Sequence, residues 1–244
     1  MNTNQHRSAL IALLLMALSA PAGAQDLAEV EKKIIAAGDK VKSFTAEMTT
    51  SSQIRQAGMT METSGKGTIE LLRHEGKVLW RLEQKTATVT EIAGQKQNME
   101  VTTLAVTDGE FTYVLMEQSG QKQVIKSKAE SAQPTLANKE TFEQLHKDSE
   151  LRLLPEAKLD GRSAYVIEAT PKDKSDPMAR QTLWFDKESG MLLKMEVVDE
   201  QGRPLHTSTF SNYKTNVTLK PERFRFQPPE GVPVIDMTQA PRTP

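Results

Sequence analysis

The chain has 244 residues, with 31 basic and 32 acidic side chains and no cysteine. A net charge of −1 argues against binding to nucleic acid or to an anionic membrane surface. The lack of cysteine excludes disulfides, cysteine nucleophiles and thiolate metal sites.

The first 24 residues are predicted to be a cleaved signal peptide. Arg7 gives a weakly basic start, the run from Ala9 to Ala20 is apolar, and Ala22-Gly23-Ala24 gives a small-x-small cleavage site. A membrane-spanning helix needs roughly twenty apolar residues, so an uncleaved signal anchor is the weaker alternative. We therefore expect a signal peptide at 1–24 and a single exported domain at 25–244.

An amphipathic helix is predicted at the start of the mature chain, with Asp26 as its N-cap. Apolar side chains recur three and four residues apart on one face at Leu27, Val30, Ile34, Ala37 and Val41. The mixed charges elsewhere on the helix favour packing against the protein's own sheet over binding to a membrane.

After Ser43 the hydrophobic period changes to two, which indicates strands. Turn signals separate them at Gly58, Asp108-Gly109, Ser119-Gly120, Asp160-Gly161, Ser189-Gly190 and Gln201-Gly202. Predicted strands include Glu110 to Glu117, Ser163 to Thr170, Thr182 to Asp186 and Met191 to Asp199. Apolar and charged residues alternate in the last of these, as in an antiparallel meander with one buried face. The pattern predicts a mainly β fold with few helices, either a barrel or a strongly curled sheet.

A second, short helix is predicted from Asn138 to Lys147, after the polar loop from Lys128 to Ala137. Asn138 can cap this helix, and Phe142 and Leu145 lie three residues apart on one face. Since that apolar face must be covered, we expect the helix to lie over one end of the curled sheet as a lid.

Catalytic and metal-binding motifs are not found in the sequence. His74, His146 and His206 have no metal-like partner at helical spacing, and no zinc-protease, nucleophile-elbow or paired-carboxylate motif occurs. The segment from Thr63 to Thr68 lacks phosphate-loop spacing and is better interpreted as a bend or bulge in a strand. We therefore predict no catalytic residue, no metal, no cofactor and no enzymatic activity; a small hydrolase is the disfavoured alternative.

Methionine is unusually frequent, with eleven residues against two tryptophans and three tyrosines. Its flexible, polarizable side chain suits surfaces that bind varied apolar partners, although core filling is the alternative for any single methionine. A barrel of modest strand number can also enclose a ligand-sized space. The predicted lipid-binding residues are Met48, Met59, Met61, Trp80, Tyr113, Trp184 and Met195.

The C-terminal stretch from Phe224 to Asp236 has the spacing F-x-F-x-P-P-x-G-V-x-V-x-D. We predict an edge strand that ends at the double proline, because proline has no N–H for the ladder. This stretch resembles the periplasmic outer-membrane lipoprotein carrier (LolA-like) superfamily. Further resemblance to that superfamily lies in Val41–Ala46, in Gly65–Leu71 followed by Arg73, in Thr107–Glu110 and in Leu183–Gly190.

The resemblance implies a half-open curled antiparallel β-barrel covered by an N-terminal helix and a short lid helix. It implies a periplasmic carrier that holds acyl chains or the lipidated end of lipoproteins in a hydrophobic concavity, for transport across the cell envelope. Arg73 would form the lid or gate together with Phe142 and Leu145; the alternative places Arg73 at a strand end in solvent. Expected partners are lipids, lipoproteins and envelope transport proteins, with no nucleic acid and no stable membrane insertion, and the protein is expected to be a monomer.

Two non-enzymatic alternatives share this fold. One is a periplasmic sensor or partner-binding module, and the other is an envelope scaffold whose concavity is a packed core. A carrier requires an apolar cavity that stays unfilled, whereas either alternative tolerates a filled interior.

Overall fold

The computed structural model describes residues 26–56, 58–129, 135–175 and 177–239. The predicted signal peptide at 1–24 lies outside these ranges. Residues 130–134 of the predicted polar loop and residues 240–244 at the C-terminus also lie outside them.

Two α-helices form where the sequence predicts them. Helix α1 spans Leu27–Gly38, and the Asp26 side chain accepts a hydrogen bond from the Ala28 amide at its start. Helix α2 spans Lys139–Asp148 and begins with a capping box between Asn138 and Thr141. Each helix therefore starts at a residue whose side chain satisfies a backbone N–H that the helix leaves unpaired.

Twelve strands of the described chain form one open, curled sheet in the order β12-β6-β5-β4-β3-β2-β1-β11-β10-β9-β8-β7. The strands are β1 Ser43–Gln56, β2 Met59–His74, β3 Lys77–Ile92, β4 Gln95–Thr107, β5 Phe111–Gln118, β6 Gln121–Lys128, β7 Ser149–Leu159, β8 Arg162–Pro171, β9 Arg180–Asp186, β10 Leu192–Val198, β11 Pro204–Thr215 and β12 Val234–Asp236. Neighbours pair antiparallel except β12, which runs parallel to β6. The predicted mainly β, half-open barrel is confirmed.

The two faces of the sheet can be assigned from the register, because residues directly opposite each other on antiparallel strands point to the same side. The front face is defined as the one that carries Phe44, Leu71 and Trp80, which pair in that order across β1, β2 and β3. The back face carries their neighbours, beginning with Glu70 and Arg81.

Both helices pack on the front face near β8, β9 and β10. Val30 and Ile34 of α1 and Phe142 of α2 form one buried cluster with strand residues that include Ile167 and Leu183. A second buried cluster lies beside it and consists of Val41, Phe44, Ala46, Met48, Ile69, Leu71, Leu136, Met191 and Phe210. On β1 this packed region ends at Met48, and the strand continues for eight more residues to Gln56.

The C-terminal segment differs from its prediction as one edge strand. Phe224 ends a 3-10 helix at Pro221–Phe224, and residues 225–233 belong to no strand; only Val234–Asp236 pairs at the sheet edge. The aromatic alternation serves packing on the back face instead. Phe224 is 1% exposed beside Leu79 and Val106, and the Phe226 ring stacks on Tyr113 at 5.3 Å between centroids.

Candidate functional site

From the row of Phe44 outward, the front face of β1 to β4 carries no charged side chain among the described residues; Arg73, which pairs with Val78, lies one row further in, at the inner end of this face. From the packed end outward, the rows are Phe44, Leu71, Trp80 and Thr107; Ala46, Ile69, Leu82 and Ala105; Met48, Gly67, Gln84 and Thr103; Thr50, Gly65, Thr86 and Val101; Ser52, Thr63, Thr88 and Met99; Ile54, Met61, Thr90 and Gln97; and Gln56, Met59, Ile92 and Gln95. An apolar ligand on this surface displaces water from neutral groups only, which avoids the high cost of desolvating a charge.

Polar groups in the middle of the front face bond to one another across the strands. The Thr63 and Thr88 hydroxyls lie 2.9 Å apart, and the Gln84 amide donates to the Thr50 hydroxyl at 3.0 Å. The Thr86 hydroxyl donates to the Val101 carbonyl at 3.3 Å. Because these hydroxyls have protein partners, the threonines can offer their methyl groups to a ligand without leaving a polar group unpaired.

The outer end of the front face is apolar and exposed. Ile54, Ile92 and Met99 are 43%, 53% and 42% exposed, and Met59 and Met61 lie half-buried between them. Ile54 pairs with Met61, and Met59 pairs with Ile92. We call these five residues the outer apolar patch, and an exposed patch of this kind is a mark of a binding surface.

A close approach of β2 to β3 occurs at Gly67, in the middle of this face. A Cβ atom added at Gly67 would lie 2.2 Å from the backbone oxygen of Glu83. The β2–β3 register continues through this point without a shift. The segment from Thr63 to Thr68 is therefore continuous strand without the predicted bulge.

A small apolar pocket lies beside α2 at the packed end of the front face, with a volume of about 150 Å³. Its lining consists of Thr135, Leu136, Ala137, Thr141, Leu145, Gln181, Leu183, Phe185 and Leu192. A dry apolar cavity of about this size holds a benzene-sized group. The pocket can therefore take a short section of an acyl chain, but not a whole chain.

The predicted lid residues Phe142 and Leu145 both face the sheet. Phe142 is 3% exposed and its ring lies 5.8 Å from that of Phe185, whereas Leu145 lines the pocket. Helix α2 also contacts α1, since the His146 ring nitrogen lies 2.9 Å from the Glu31 carboxylate. These contacts place α2 over the pocket as a cover.

Arg73, the predicted gate residue, lies where β2 passes the connection between α1 and β1. Its Nε atom donates to the Val41 carbonyl at 3.1 Å, and its backbone amide donates to the Lys42 carbonyl at 2.8 Å. These bonds fix the segment that leads out of α1. A gating role for Arg73 stays a prediction.

The seven predicted lipid-binding residues do not share one surface. Met48, Met59, Met61 and Trp80 lie on the front face of β1 to β3, and Met195 packs against the front cluster under the helices. Tyr113 and Trp184 lie on the back face, where Tyr113 stacks on Phe226 and the Lys194 ammonium lies 4.7 Å from the Trp184 ring. These two side chains therefore point to the face opposite that of the other five, and lipid binding by any of the seven stays a prediction.

His206 is a titratable group on the front face, opposite Ser52. Burial lowers the pKa of His206, and its ring lies 2.8 Å from the Ser208 hydroxyl. The neutral form is therefore favoured at neutral pH, and this part of the front face stays uncharged.

A buried ion pair fixes the β9–β10 hairpin. Asp186 is 2% exposed, receives two hydrogen bonds from Arg162 at 3.1 and 2.7 Å, and also accepts from Ser189. Burial raises the pKa of Asp186, but the bonds from Arg162 and Ser189 lower it by more, so that the pKa lies below its ordinary value. The carboxylate is thus a structural anion whose charge is fully satisfied.

Neither a metal-binding cluster nor a membrane-spanning helix occurs among the described residues. No group of three or more histidine, aspartate or glutamate side chains there could hold a metal ion. None of the helices in this part of the chain is long and apolar enough to cross a membrane.

The sequence matches a family model and is similar, over part of its length, to a lipoprotein carrier. A family model described as "Uncharacterized protein" matches residues 84–227, more than half of the chain. An outer-membrane lipoprotein carrier protein of Nitrosospira multiformis is 42% identical over 69 residues, which cover 28% of this chain and 32% of that protein. An uncharacterized protein of Methanocaldococcus jannaschii is 24% identical over 196 residues, 73% of this chain and 56% of that one. The chain thus spans less than two thirds of either relative.

One solved structure shares the fold at low identity, and others are similar to a lesser degree. An uncharacterized conserved protein of Thermus thermophilus has a TM-score of 0.51 at 15% identity, covering 85% of this chain and 99% of its own. MucB has a TM-score of 0.49 at 19% identity, with 84% of this chain and 64% of MucB covered. A LolA superfamily protein of Nitrosomonas europaea has a TM-score of 0.29 at 14% identity, with 80% of this chain and 97% of that protein covered. The chain belongs to the family that the model describes, and its resemblance to the LolA-like superfamily of lipoprotein carriers is confirmed.

Proposed function

We propose that the protein is a periplasmic carrier that binds acyl chains, or the lipidated end of a lipoprotein, for transport across the cell envelope. The observation that carries this proposal is the uncharged front face, which runs from the pocket beside α2 to the outer apolar patch. The relationship to LolA-like proteins and the predicted signal peptide support the carrier role and the periplasmic location.

Binding in this proposal comes from burial of methylene groups. Each CH₂ removed from water contributes about 0.8 kcal/mol, so one or two acyl chains laid along the front face bind firmly without a specific polar contact. The chain end enters the pocket under α2, and the remainder lies over the threonine methyl groups toward Met59 and Met61.

Release in this proposal requires no chemistry and no cofactor. Helix α2 contacts α1 through His146, which is half exposed, and Glu31. Opening of α2 also exposes the buried Phe142 ring, so an acceptor with higher affinity for the lipid must supply the free energy that draws it from the pocket. Proteins of the envelope transport machinery are the proposed donors and acceptors, and the protein itself is proposed to be a monomeric non-enzyme.

One observation favours a second candidate, the partner-binding or sensor module. The buried clusters fill the front face beneath the helices and leave a pocket of only about 150 Å³. A module that binds a protein partner needs no larger cavity.

Lipid extraction and a pocket-filling variant test the carrier function. We expect the secreted protein to carry lipid that mass spectrometry identifies in an organic extract, and to bind a fluorescent acyl probe. Leu145→Trp fills the pocket with an apolar side chain and should weaken probe binding, whereas Leu115→Trp, at a half-buried leucine on the back face, should not. Protein that carries no lipid and binds no acyl probe would favour the partner-binding module.

A further inference from the structure

The pocket beside α2 contains one buried polar atom without a partner. Thr135 is 2% exposed, and its hydroxyl oxygen has no hydrogen-bond partner among the described residues. The other polar side chains of the lining are engaged. Thr141 bonds with Asn138 in the capping box, and the Gln181 amide donates to the Met195 sulfur. A buried hydroxyl without a hydrogen-bond partner is rare in folded proteins, and a bound ligand can supply the missing partner.

The lining also carries no charged side chain. A carboxylate or phosphate in this pocket would lose its hydration without gaining a cation, which is unfavourable. A pure hydrocarbon would leave the Thr135 hydroxyl unpaired. The group that fits is neutral, largely apolar and furnished with one hydrogen-bond acceptor, in a volume of about 150 Å³.

We propose that Thr135 recognises the neutral carbonyl of an ester- or amide-linked acyl chain by a hydrogen bond. The pocket thereby prefers such chains to free fatty acids and to hydrocarbons. This inference rests on the proposed acyl-chain binding and assigns a specificity-determining residue to it. The Thr135 hydroxyl donates to the carbonyl oxygen, and Leu136, Leu145 and Leu183 enclose the adjoining methylene groups.

The surroundings of Thr135 allow the hydroxyl to reach the pocket. Its carbonyl accepts a hydrogen bond from the Leu192 amide at 2.9 Å, and Leu136 forms a β-bridge with Met191. These bonds hold the backbone of residues 135–136 against β10 and leave the Thr135 side chain without a hydrogen bond of its own. Rotation about the Cα–Cβ bond then turns the hydroxyl toward a bound carbonyl.

Thr135→Val and Thr135→Ser are the variants that test this inference. Valine keeps the shape and removes the hydroxyl, whereas serine keeps the hydroxyl. Since the hydroxyl has no partner, Thr135→Val should leave the melting temperature unchanged or raise it. Ser43→Ala is the control, because the buried Ser43 hydroxyl, on the back face, donates to the Val217 carbonyl and its loss should lower the melting temperature.

Four probes of equal chain length separate the possible ligands: an acyl methyl ester, the primary amide, the free fatty acid and the alkane. The wild-type protein should bind the ester and the amide roughly five- to tenfold more tightly than the alkane, which is the effect of one neutral hydrogen bond. Thr135→Val should abolish this preference and leave alkane binding unchanged. Thr135→Ser and Ser43→Ala should keep it. The ester and the amide are compared directly to decide which linkage fits better.

Three results would overturn the inference. The first is a preference that persists in Thr135→Val, and the second is a preference lost equally in Thr135→Ser. The third is a wild-type protein that binds all four probes alike. In each of these cases acyl binding itself survives, so the proposed function stands. Failure to bind any of the four probes would instead contradict the proposed function together with this inference.

Discussion

The two faces of the sheet use the same strands for opposite purposes. On β1 to β4 the front face is neutral from the row of Phe44 outward, whereas the back face carries charges such as Glu62, Lys66, Lys85 and Glu91 along its whole length. The tail with Phe224 and Phe226 crosses the back face and packs on it. The charges and the packed tail thus lie on the back face, and the part of the front face beyond Met48 is left open for a ligand.

The tail clamp should give the largest effect when it is broken. Phe224→Ala removes a ring that is 1% exposed between Leu79 and Val106, and the loss of burial plus the cavity should cost about 3–5 kcal/mol of unfolding free energy. Urea denaturation measures this. Phe226→Ala, at the half-buried ring next to it, is the control and should cost less. An effect of Phe224→Ala below that of the control would show that the tail does not clamp the back face.

Breaking the Asp186–Arg162 pair should give the second-largest loss of unfolding free energy, and this loss should depend on pH. Asp186→Asn leaves Arg162 without its anion and should cost about 3 kcal/mol at pH 7. Because the folded-state pKa of Asp186 lies below its ordinary value of 3.8, the contribution of the carboxylate is present above that value and is lost as pH falls through the lowered pKa. The difference in unfolding free energy between wild type and variant should therefore shrink below about pH 4. A difference that stays constant from pH 7 to pH 3 would contradict this assignment.

Two glycines on the front face, Gly67 and Gly65, should differ in the cost of adding a side chain. Gly67→Ala places a Cβ against the rigid backbone oxygen of Glu83 and should cost about 1–3 kcal/mol. At Gly65 the nearest atoms belong to the side chains of Thr50 and Gln84, which can move, so Gly65→Ala should cost less. Thermal unfolding of the two variants measures the difference, and equal costs would mean that β2 and β3 do not approach closely at Gly67.

The exposed ion pair on the back face should matter least for stability. Arg223 makes two hydrogen bonds of 2.8 Å to Glu70, yet the arginine side chain is 51% exposed. Arg223→Ala should therefore cost less than about 1 kcal/mol, and the cost should fall further at high salt. A larger, salt-independent loss would assign the clamp to this pair instead of to Phe224.

Much of the fold could be predicted from local sequence signals. The strand predicted from Ser163 to Thr170 is observed as Arg162–Pro171, and the strand from Met191 to Asp199 is observed as Leu192–Val198. Glycine-containing turns fix such boundaries, since Gly161 and Gly190 have positive φ angles that other residues rarely adopt. The capping residues Asp26 and Asn138 located the helices in the same way.

The candidate site was harder to predict, because its residues are defined by register. Tyr113 and Trp184 have the right composition for an apolar surface, but their parity on the strand puts them on the back face. Ile54, Ile92 and Met99 were missed, although the charge-free alternation Thr86, Thr88, Thr90, Ile92 was a usable signal. The strand predicted from Phe224 onward was wrong, because an extended segment that packs on a sheet shows the same alternation of buried and exposed side chains as a strand. The pocket depends on contacts of Thr135 and Leu136 with strands distant in sequence.

A matched pair of charge insertions tests most directly whether the front face is the lipid-binding face. Ile54→Glu on the front and Val89→Glu on the back introduce the same charge at side chains that are 43% and 37% exposed. Ile54→Glu should change the unfolding free energy by less than about 0.5 kcal/mol, and Val89→Glu by up to about 1 kcal/mol because it lies opposite Glu62. We predict that affinity for a fluorescent acyl chain falls at least roughly tenfold in Ile54→Glu, because the bound chain would desolvate the new charge, and is unchanged in Val89→Glu. Equal losses in the two variants, or a loss in Val89→Glu alone, would contradict the assignment of lipid binding to the front face.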